Sequence, residues 1–515
     1  MPVKRVALLP LVLALLTGFL TPLKAEPHAL DQRDPRANEQ KADALVDKLQ
    51  QLRARVDASS RKVSLEEAIE LGLRNNPDLV SAFRTIQDYE WQLIAAQRQW
   101  YPTLELSNGS PFVGLNANTY IQRFYNSQQE QVISTLGSAP NAPSQVKQFT
   151  TTAVLQPGAT ASWSFIDPTR QPNINAASEA LRQQKLLFDV SARNLILQIQ
   201  TAYYTLQSTR QLIADFQQIY DINRRQMEVI RARYGIQLAT VLDLAQTESQ
   251  LFNQLNQLVS FTQSYITEAA QLARQLGLPD DSLVLPAEKA KLYNSWMVPL
   301  PETIARATRL REEILASLAA AESAQWSGIA QMNQYLPVFQ VVGTGSLRLE
   351  SGVINGVPGR DTTFAQSGLK TWNGAVGIGF NWTLFDGGID AAQAQSEYAQ
   401  AEQKRSVAES NRLQTVQQIR SSYGDYEASQ VAVDSARMAY QAALTAQEAA
   451  RARFDIGVGD ITTIVQTIEQ WGTSSQQLSQ AILAYNKAVA ELYRFSATWP
   501  GDSGALVREQ EQRLR

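Results

Sequence analysis

The chain has 515 residues, a formal net charge of -3, one histidine and no cysteine. Thiol, zinc-cluster and Ser-His chemistry are therefore nearly excluded, and the near-neutral charge leaves no basic footprint for nucleic acid. Hydrophobic content of 44% with only 8% aromatic residues fits long helices rich in Ala, Gln and Leu better than a string of compact domains.

At the N-terminus, Lys4-Arg5 precede an apolar run from Val6 to Leu20, followed by Leu23-Lys24-Ala25 as a cleavage site. This layout predicts a secretory signal peptide over 1–25, because the run falls short of the roughly 20 residues that cross a bilayer. No later segment has 18 consecutive apolar residues. Any membrane-embedded part of the mature chain must then be β-strand. Residues 26–63 read as a loosely packed polar N-terminal arm with a short helical pattern at Ala44, Leu45, Leu49, Leu52 and Val56. His28 reads as a solvated linker residue.

A first structural repeat is expected over 64–285. Ser64-Leu-Glu-Glu67 is a capping-box sequence that opens a helix, Asn76-Pro77 stops it, and a second helix runs to about Trp100. Residues 103–166 then lose the helical period. Ala159, Ala161, Trp163 and Phe165 alternate with Thr160, Ser162 and Ser164, which predicts a half-buried strand; its hairpin partner lies between Leu104 and Tyr125. Asn126 to Gln148 reads as an exposed loop.

Between Pro172 and Pro279 there is no proline, and from Ser178 to Leu276 the only glycine is Gly235. Two very long helices with one break near 235 follow. Positions 188, 192, 195, 199, 202, 206, 209, 213, 216, 220, 223, 227 and 230 form a heptad seam, apolar except at Thr209 and Asn223. Such a seam implies left-handed coiled-coil packing. At 1.5 Å per residue the first helix is roughly 90 Å long.

The plan repeats over 286–499. Arg231-Ala-Arg-Tyr-Gly235 matches Arg451-Ala-Arg-Phe-Asp455, and the match continues through Gln246-Thr247 and Gln466-Thr467. A β-hairpin is expected at about 338–385 and a helical turn at about 457. In the hairpin's second strand Trp372, Val376, Ile378, Phe380, Trp382 and Leu384 form one apolar face opposite Asn373, Ala375, Gly377, Gly379, Asn381 and Thr383. Tryptophans bordering an apolar stripe suit the aromatic girdles of a membrane barrel. Four strands per chain cannot close a barrel, so self-association is required, and a trimer of twelve strands is the smallest assembly with an appreciable pore. Residues 500–515 read as a polar, disordered C-terminal tail.

Ser64-Leu-Glu-Glu-Ala-Ile-Glu-Leu-Gly-Leu-Arg-Asn-Asn-Pro-Asp78, Trp382-Thr-Leu-Phe-Asp-Gly-Gly388 and the paired turns at Tyr234 and Phe454 together resemble the TolC family of outer-membrane factors, over about Ser64 to Trp499. The resemblance implies a mainly α fold with a membrane β-barrel portion: a duplicated helix–β-hairpin–helix–helix unit, trimeric, with a twelve-stranded barrel and a long α-helical coiled-coil barrel. It implies a Gram-negative outer-membrane location with a large periplasmic portion, no enzymatic activity, no cofactor, and a duct working with a periplasmic adaptor and an inner-membrane pump. A periplasmic coiled-coil adaptor or tether without a pore is the alternative.

Similar proteins turn at a periplasmic tip where the tunnel narrows and partners dock. The resemblance places Arg231, Arg233, Tyr234, Gly235, Arg451, Arg453, Phe454, Gly457 and Gly459 there, with both Gly457 and Gly459 expected to supply positive φ. Asp243, Asp460, Thr463 and Gln466 are the aperture candidates. Thr463 and Gln466 stand where relatives carry acidic residues, and Phe454 and Gly459 replace a linking tyrosine and arginine, so a cation-binding ring is doubtful.

Overall fold

The computed structural model describes residues 35–123, 145–279, 282–355 and 365–515. The signal peptide over 1–25, His28 and most of the loop over 126–148 lie outside the described residues. In order, the chain forms α1 (Pro35–Ala58), β1 (Ser60–Val63), α2 (Leu65–Asn75), α3 (Pro77–Arg98), β2 (Thr103–Arg123), β3 (Gln145–Ile166), α4 (Arg170–Gly235) and α5 (Val241–Gln275). It continues with β4 (Leu283–Pro286), α6 (Leu300–Leu310), α7 (Glu312–Met332), β5 (Val338–Asn355), β6 (Ala365–Asn381), α8 (Ile389–Asp455), α9 (Ile461–Phe495) and α10 (Ser503–Leu514).

The two long helices α4 and α8 have 66 and 67 residues, or about 100 Å each. All thirteen seam positions of α4 are buried, including Thr209 and Asn223. Buried apolar area of this kind, at roughly 25 cal/mol per Å², is what holds so long a helix in place. Small residues mark the close approaches between the repeats. Ser208 and Ser479 hydroxyls meet at 2.7 Å, Ser475 donates to Asp215 at 2.6 Å, and a Cβ at Gly472 would lie 3.5 Å from Phe216. These contacts pack α4 against α9. Since α4 also packs on α5 and α9 on α8, the long helices form one layer in the order α5, α4, α9, α8.

The four long strands form a single antiparallel sheet, β2-β3-β5-β6, which is open in one chain, with β2 and β6 as its edges. The strands extend beyond the regularly alternating stretches, with β2 running to Arg123 and β3 starting at Gln145. At the sheet-to-helix junction the indole N–H of Trp163 donates to the Trp100 carbonyl at 2.9 Å, and that of Trp382 donates to the Tyr335 carbonyl at 2.9 Å. The same device thus anchors both repeats. β6 ends at Asn381, so Trp382 and Leu384, expected within the strand, follow it instead.

Three further expectations need correction. Ser64 accepts from the Glu67 backbone N–H at 3.1 Å, but the Glu67 carboxylate pairs with Arg61, so only half of the capping box forms. The described part of the arm, 35–63, is not loose: α1 is a 24-residue helix that buries Ala42, Val46 and Val56, a face rotated from the one expected, with Leu45 and Leu52 left exposed. Nor is 500–515 a disordered tail. α10 buries Val507, and the Gln510 amide donates to the Arg74 carbonyl at 3.1 Å.

Candidate functional site

Both helical turns are built by the same hydrogen bonds. Leu238 N–H donates to the Arg233 carbonyl at 2.8 Å and Gln237 N–H to the Tyr234 carbonyl at 3.0 Å; Val458 donates to Arg453 and Gly457 to Phe454, each at 3.0 Å. This is the Schellman closure, whose C′ residue must be left-handed. Gly457 fills that position with φ 84° and Gln237 fills it with φ 59°. Gly459 does not have positive φ. Its requirement is close approach, since a Cβ there would lie 3.0 Å from the Phe454 nitrogen. Gly235 is simply the last residue of α4, with open space around it.

The helices restart from capped ends. Thr240 and Asp243 form a reciprocal capping box, with Thr240 N–H donating to the Asp243 carboxylate at 2.7 Å. Asp460 accepts from Thr463 N–H at 2.7 Å, and this backbone hydrogen bond holds its carboxyl below the usual carboxylate range. Both acidic aperture candidates are therefore already bound to backbone donors. Thr463 and Gln466 are exposed one turn apart on α9.

The two turns are joined to each other. The Arg233 guanidinium lies 4.0 Å over the Phe454 ring and donates to the Phe454 carbonyl at 3.3 Å. Phe454 is only 3% exposed, so it serves the core and not a docking surface. Tyr234, Gly235, Arg451, Arg453 and Gly457 are exposed, while Arg231, Arg233 and Gly459 are partly so.

Sequence reasoning missed four apolar tip residues: Ile236, Leu238, Ile456 and Val458, all exposed and at matching places in the two turns. Apolar side chains in a turn that has no core of its own were the available signal. The strand face is likewise exposed. Trp372, Val376, Ile378, Phe380, Trp382 and Leu384 are joined there by Leu104, Leu106, Val113 and Leu115 of β2. Among the described residues no helix is long and apolar enough to cross a membrane.

A buried charge cluster joins the repeats at mid-height. Arg193 donates to Glu312 at 2.8 Å and to the Ala497 carbonyl at 3.2 Å, and its guanidinium lies 3.8 Å over the Trp499 ring. Arg494 pairs with Glu313, which is also bound by Arg311 at 3.1 Å. The arrangement is structural, since each of the two glutamates is paired with at least one of the three arginines.

The chain resembles known proteins in sequence and in fold. It is 20% identical over 337 residues to the outer membrane protein TolC of Escherichia coli (strain K12), covering 64% of this chain and 66%, just under two thirds, of that relative. Its fold is similar to the CmeC outer membrane channel of Campylobacter jejuni, with TM-score 0.61 and 16% identity over 88% of this chain and 90% of that one. The outer membrane protein VceC of Vibrio cholerae matches with TM-score 0.59 and 16% identity over 84% and 96%. The profile described as outer membrane efflux protein matches residues 68–278 and 304–498, which is most of the sequence. The chain belongs to the outer membrane efflux protein family.

Proposed function

We propose that this chain is the outer-membrane exit duct of a tripartite efflux or type I secretion system. Three copies contribute four strands each to a twelve-stranded barrel, and their α4, α5, α8 and α9 helices form the wall of a periplasmic tunnel. The duct breaks no bond. An inner-membrane pump with a periplasmic adaptor delivers the substrate, which then diffuses out. The observation that carries this reading is the union in one chain of an open sheet of strands at least 17 residues long and two helices of about 100 Å. Strands need only about 9–11 residues to span a bilayer. An open sheet with an apolar outer face needs neighbours, and in the outer membrane those neighbours are two further copies and lipid.

In this reading Trp372, Val376, Ile378 and Phe380 face lipid, with Trp382 and Leu384 at the rim. The turns sit at the periplasmic mouth, where Arg231, Arg233, Tyr234, Arg451 and Arg453 with the apolar Ile236, Leu238, Ile456 and Val458 receive the adaptor. Asp243, Asp460, Thr463 and Gln466 line the aperture. With both carboxylates engaged by backbone N–H groups, the aperture binds cations weakly. A pore-free periplasmic adaptor does not need the duplicated strands. Membrane fractionation tests the proposal: a heat-modifiable trimer in the outer membrane is expected, and a wholly soluble periplasmic protein would rule it out.

A further inference from the structure

Helix α1 precedes the stretch matched by the family profile, which begins at residue 68. Its inner seam is Ala42, Val46, Leu49, Arg53 and Val56, spaced by four and three residues as in a coiled coil, and it packs on α5. Salt bridges and hydrogen bonds fix its height and rotation. Asp43 pairs with Arg224 of α4 at 3.0 Å, Arg53 donates to Gln217 of α4 at 3.1 Å, and Asp57 accepts from Tyr265 of α5 at 2.6 Å. These contacts turn one flank of α1 toward α4. The opposite flank carries Lys41, Leu45, Lys48, Leu52 and Arg55, again spaced by four and three, with Leu45 and Leu52 48% and 37% exposed.

The free edge at the other end of the helix layer has the complementary stripe. On α8, Glu427, Val431, Asp434, Met438, Gln441, Thr445 and Glu448 follow the same spacing and point away from the buried seam of Tyr426, Val433, Ala443 and Ala450. Val431 and Met438 are 70% and 65% exposed. Asp434 also lies 3.9 Å from Arg437 of its own helix, an exposed pair of small worth. Helix α5, which borders the next copy in a closed ring, has no lysine or arginine from Val241 to Ala273. On that side α1 brings three exposed basic groups, Lys41, Lys48 and Arg55.

Heights agree as well. Gln217 stands about 27 Å above the end of α4 and Met438 about 26 Å above the end of α8, level to within one residue's rise. Arg53 is level with Gln217, so Leu52 is level with Met438, and a threefold axis preserves height. Since α1 runs away from the tip and α8 toward it, Arg55 then falls beside Asp434 and Lys41 near Glu448. We infer that α1 is a strap that lies across α5 and docks its Lys41-Leu45-Lys48-Leu52-Arg55 flank on the Glu427–Glu448 edge of α8 in the neighbouring copy. The inference rests on the trimer proposed above.

The cysteine-free chain gives a clean test. The full-length Leu52→Cys, Met438→Cys protein is treated with a short bismaleimide and denatured. Covalent dimers and a closed covalent trimer are expected. They should be absent from the Leu52→Cys, Leu413→Cys protein, whose second site is roughly 37 Å farther along α8. Adding Arg55→Glu to the first pair should lower the crosslinked yield about twofold to fivefold, and adding Asp434→Lys as well should restore it. Monomer bands alone, from protein that migrates as a trimer before denaturation, overturn the strap and leave the trimer standing. Equal crosslinking of the distant pair, or a yield indifferent to Arg55→Glu, also overturns it. Protein that is not trimeric before crosslinking overturns both.

Discussion

The guanidinium of Arg233 rests 4.0 Å above the ring of Phe454, tying the turn of the first repeat to that of the second. The contact crosses between repeats at the end of the layer, beside the core residues Ile230, Leu244, Ile461 and Ile464. Removing it with Arg233→Ala should loosen both turns without unfolding the chain. The expected result is hydrogen exchange about fivefold faster over 230–240 and 450–460, with residues 195–215 unchanged, because a partly exposed cation–aromatic contact contributes roughly 1 kcal/mol.

The left-handed residue differs between the turns. Gln237 holds φ 59° where Gly457 holds 84°. Gln237→Gly should therefore relieve strain and stabilise the first turn by about 0.5–1 kcal/mol, whereas Gly457→Ala should destabilise the second by about 1 kcal/mol or more. Local exchange rates of the two turns measure both effects, which are opposite in sign.

Much of this fold was legible in spacing. The thirteen seam positions of α4 could be counted because a single face at period 3.5 meets water nowhere along its length. The turns stood out because two ten-residue stretches repeat. Other features depend on facts that spacing does not hold. Phe454 looks like a surface aromatic in a turn, and only the presence of Arg233 from the other repeat shows it to be covered. The inner face of α1 is not legible from spacing because Ala42 and Val46 pack inward while Leu45 and Leu52, at an equally regular spacing, remain on its flank. α10 buries Ser503, Gly504, Val507 and Gln510 at helical spacing, with Leu506 and Leu514 packed beside them, but the polar members of that stripe give no apolar signal in the sequence.

Asp189 makes stability depend on pH. Burial first, then the Glu312 charge, push its carboxyl from 3.8 up to about 6, against the opposing pull of Arg193; Glu511 and Arg508 of α10 also act on it. The folded chain holds this proton more tightly than the unfolded one. Its stabilising share is therefore complete below about pH 4 and is lost as pH rises through about 6. Asp189→Asn should raise stability by roughly 1–2 kcal/mol at pH 7.5 and leave it unchanged at pH 4. Thermal unfolding at the two pH values gives the comparison.

Arg193 is a costly charge to remove. Its loss would strand Glu312, of which only 9% of the side chain is exposed, and uncover the Trp499 ring. Arg193→Ala should destabilise the chain by about 3–5 kcal/mol, seen as a large fall in Tm. Arg193→Lys should recover only part of this, because an ammonium cannot bind Glu312, the Ala497 carbonyl and the indole face together.

The exposed apolar tip residues separate docking from folding. Leu238→Asp and Val458→Asp alter side chains that touch no core, so the unfolding free energy should stay within about 0.5 kcal/mol of the parent. Export in cells should nevertheless fall sharply. A matching loss of stability and export would remove these residues from the docking surface.

The central claim is that the assembled chain is a water-filled duct, and single-channel recording of the purified protein in planar bilayers tests it most directly. Discrete conductance steps are expected, with only weak block by divalent or trivalent cations added on the tip side. Bilayers that stay silent while holding the trimer would contradict the duct, and strong cation block abolished by Asp460→Ala would contradict the weakly binding aperture.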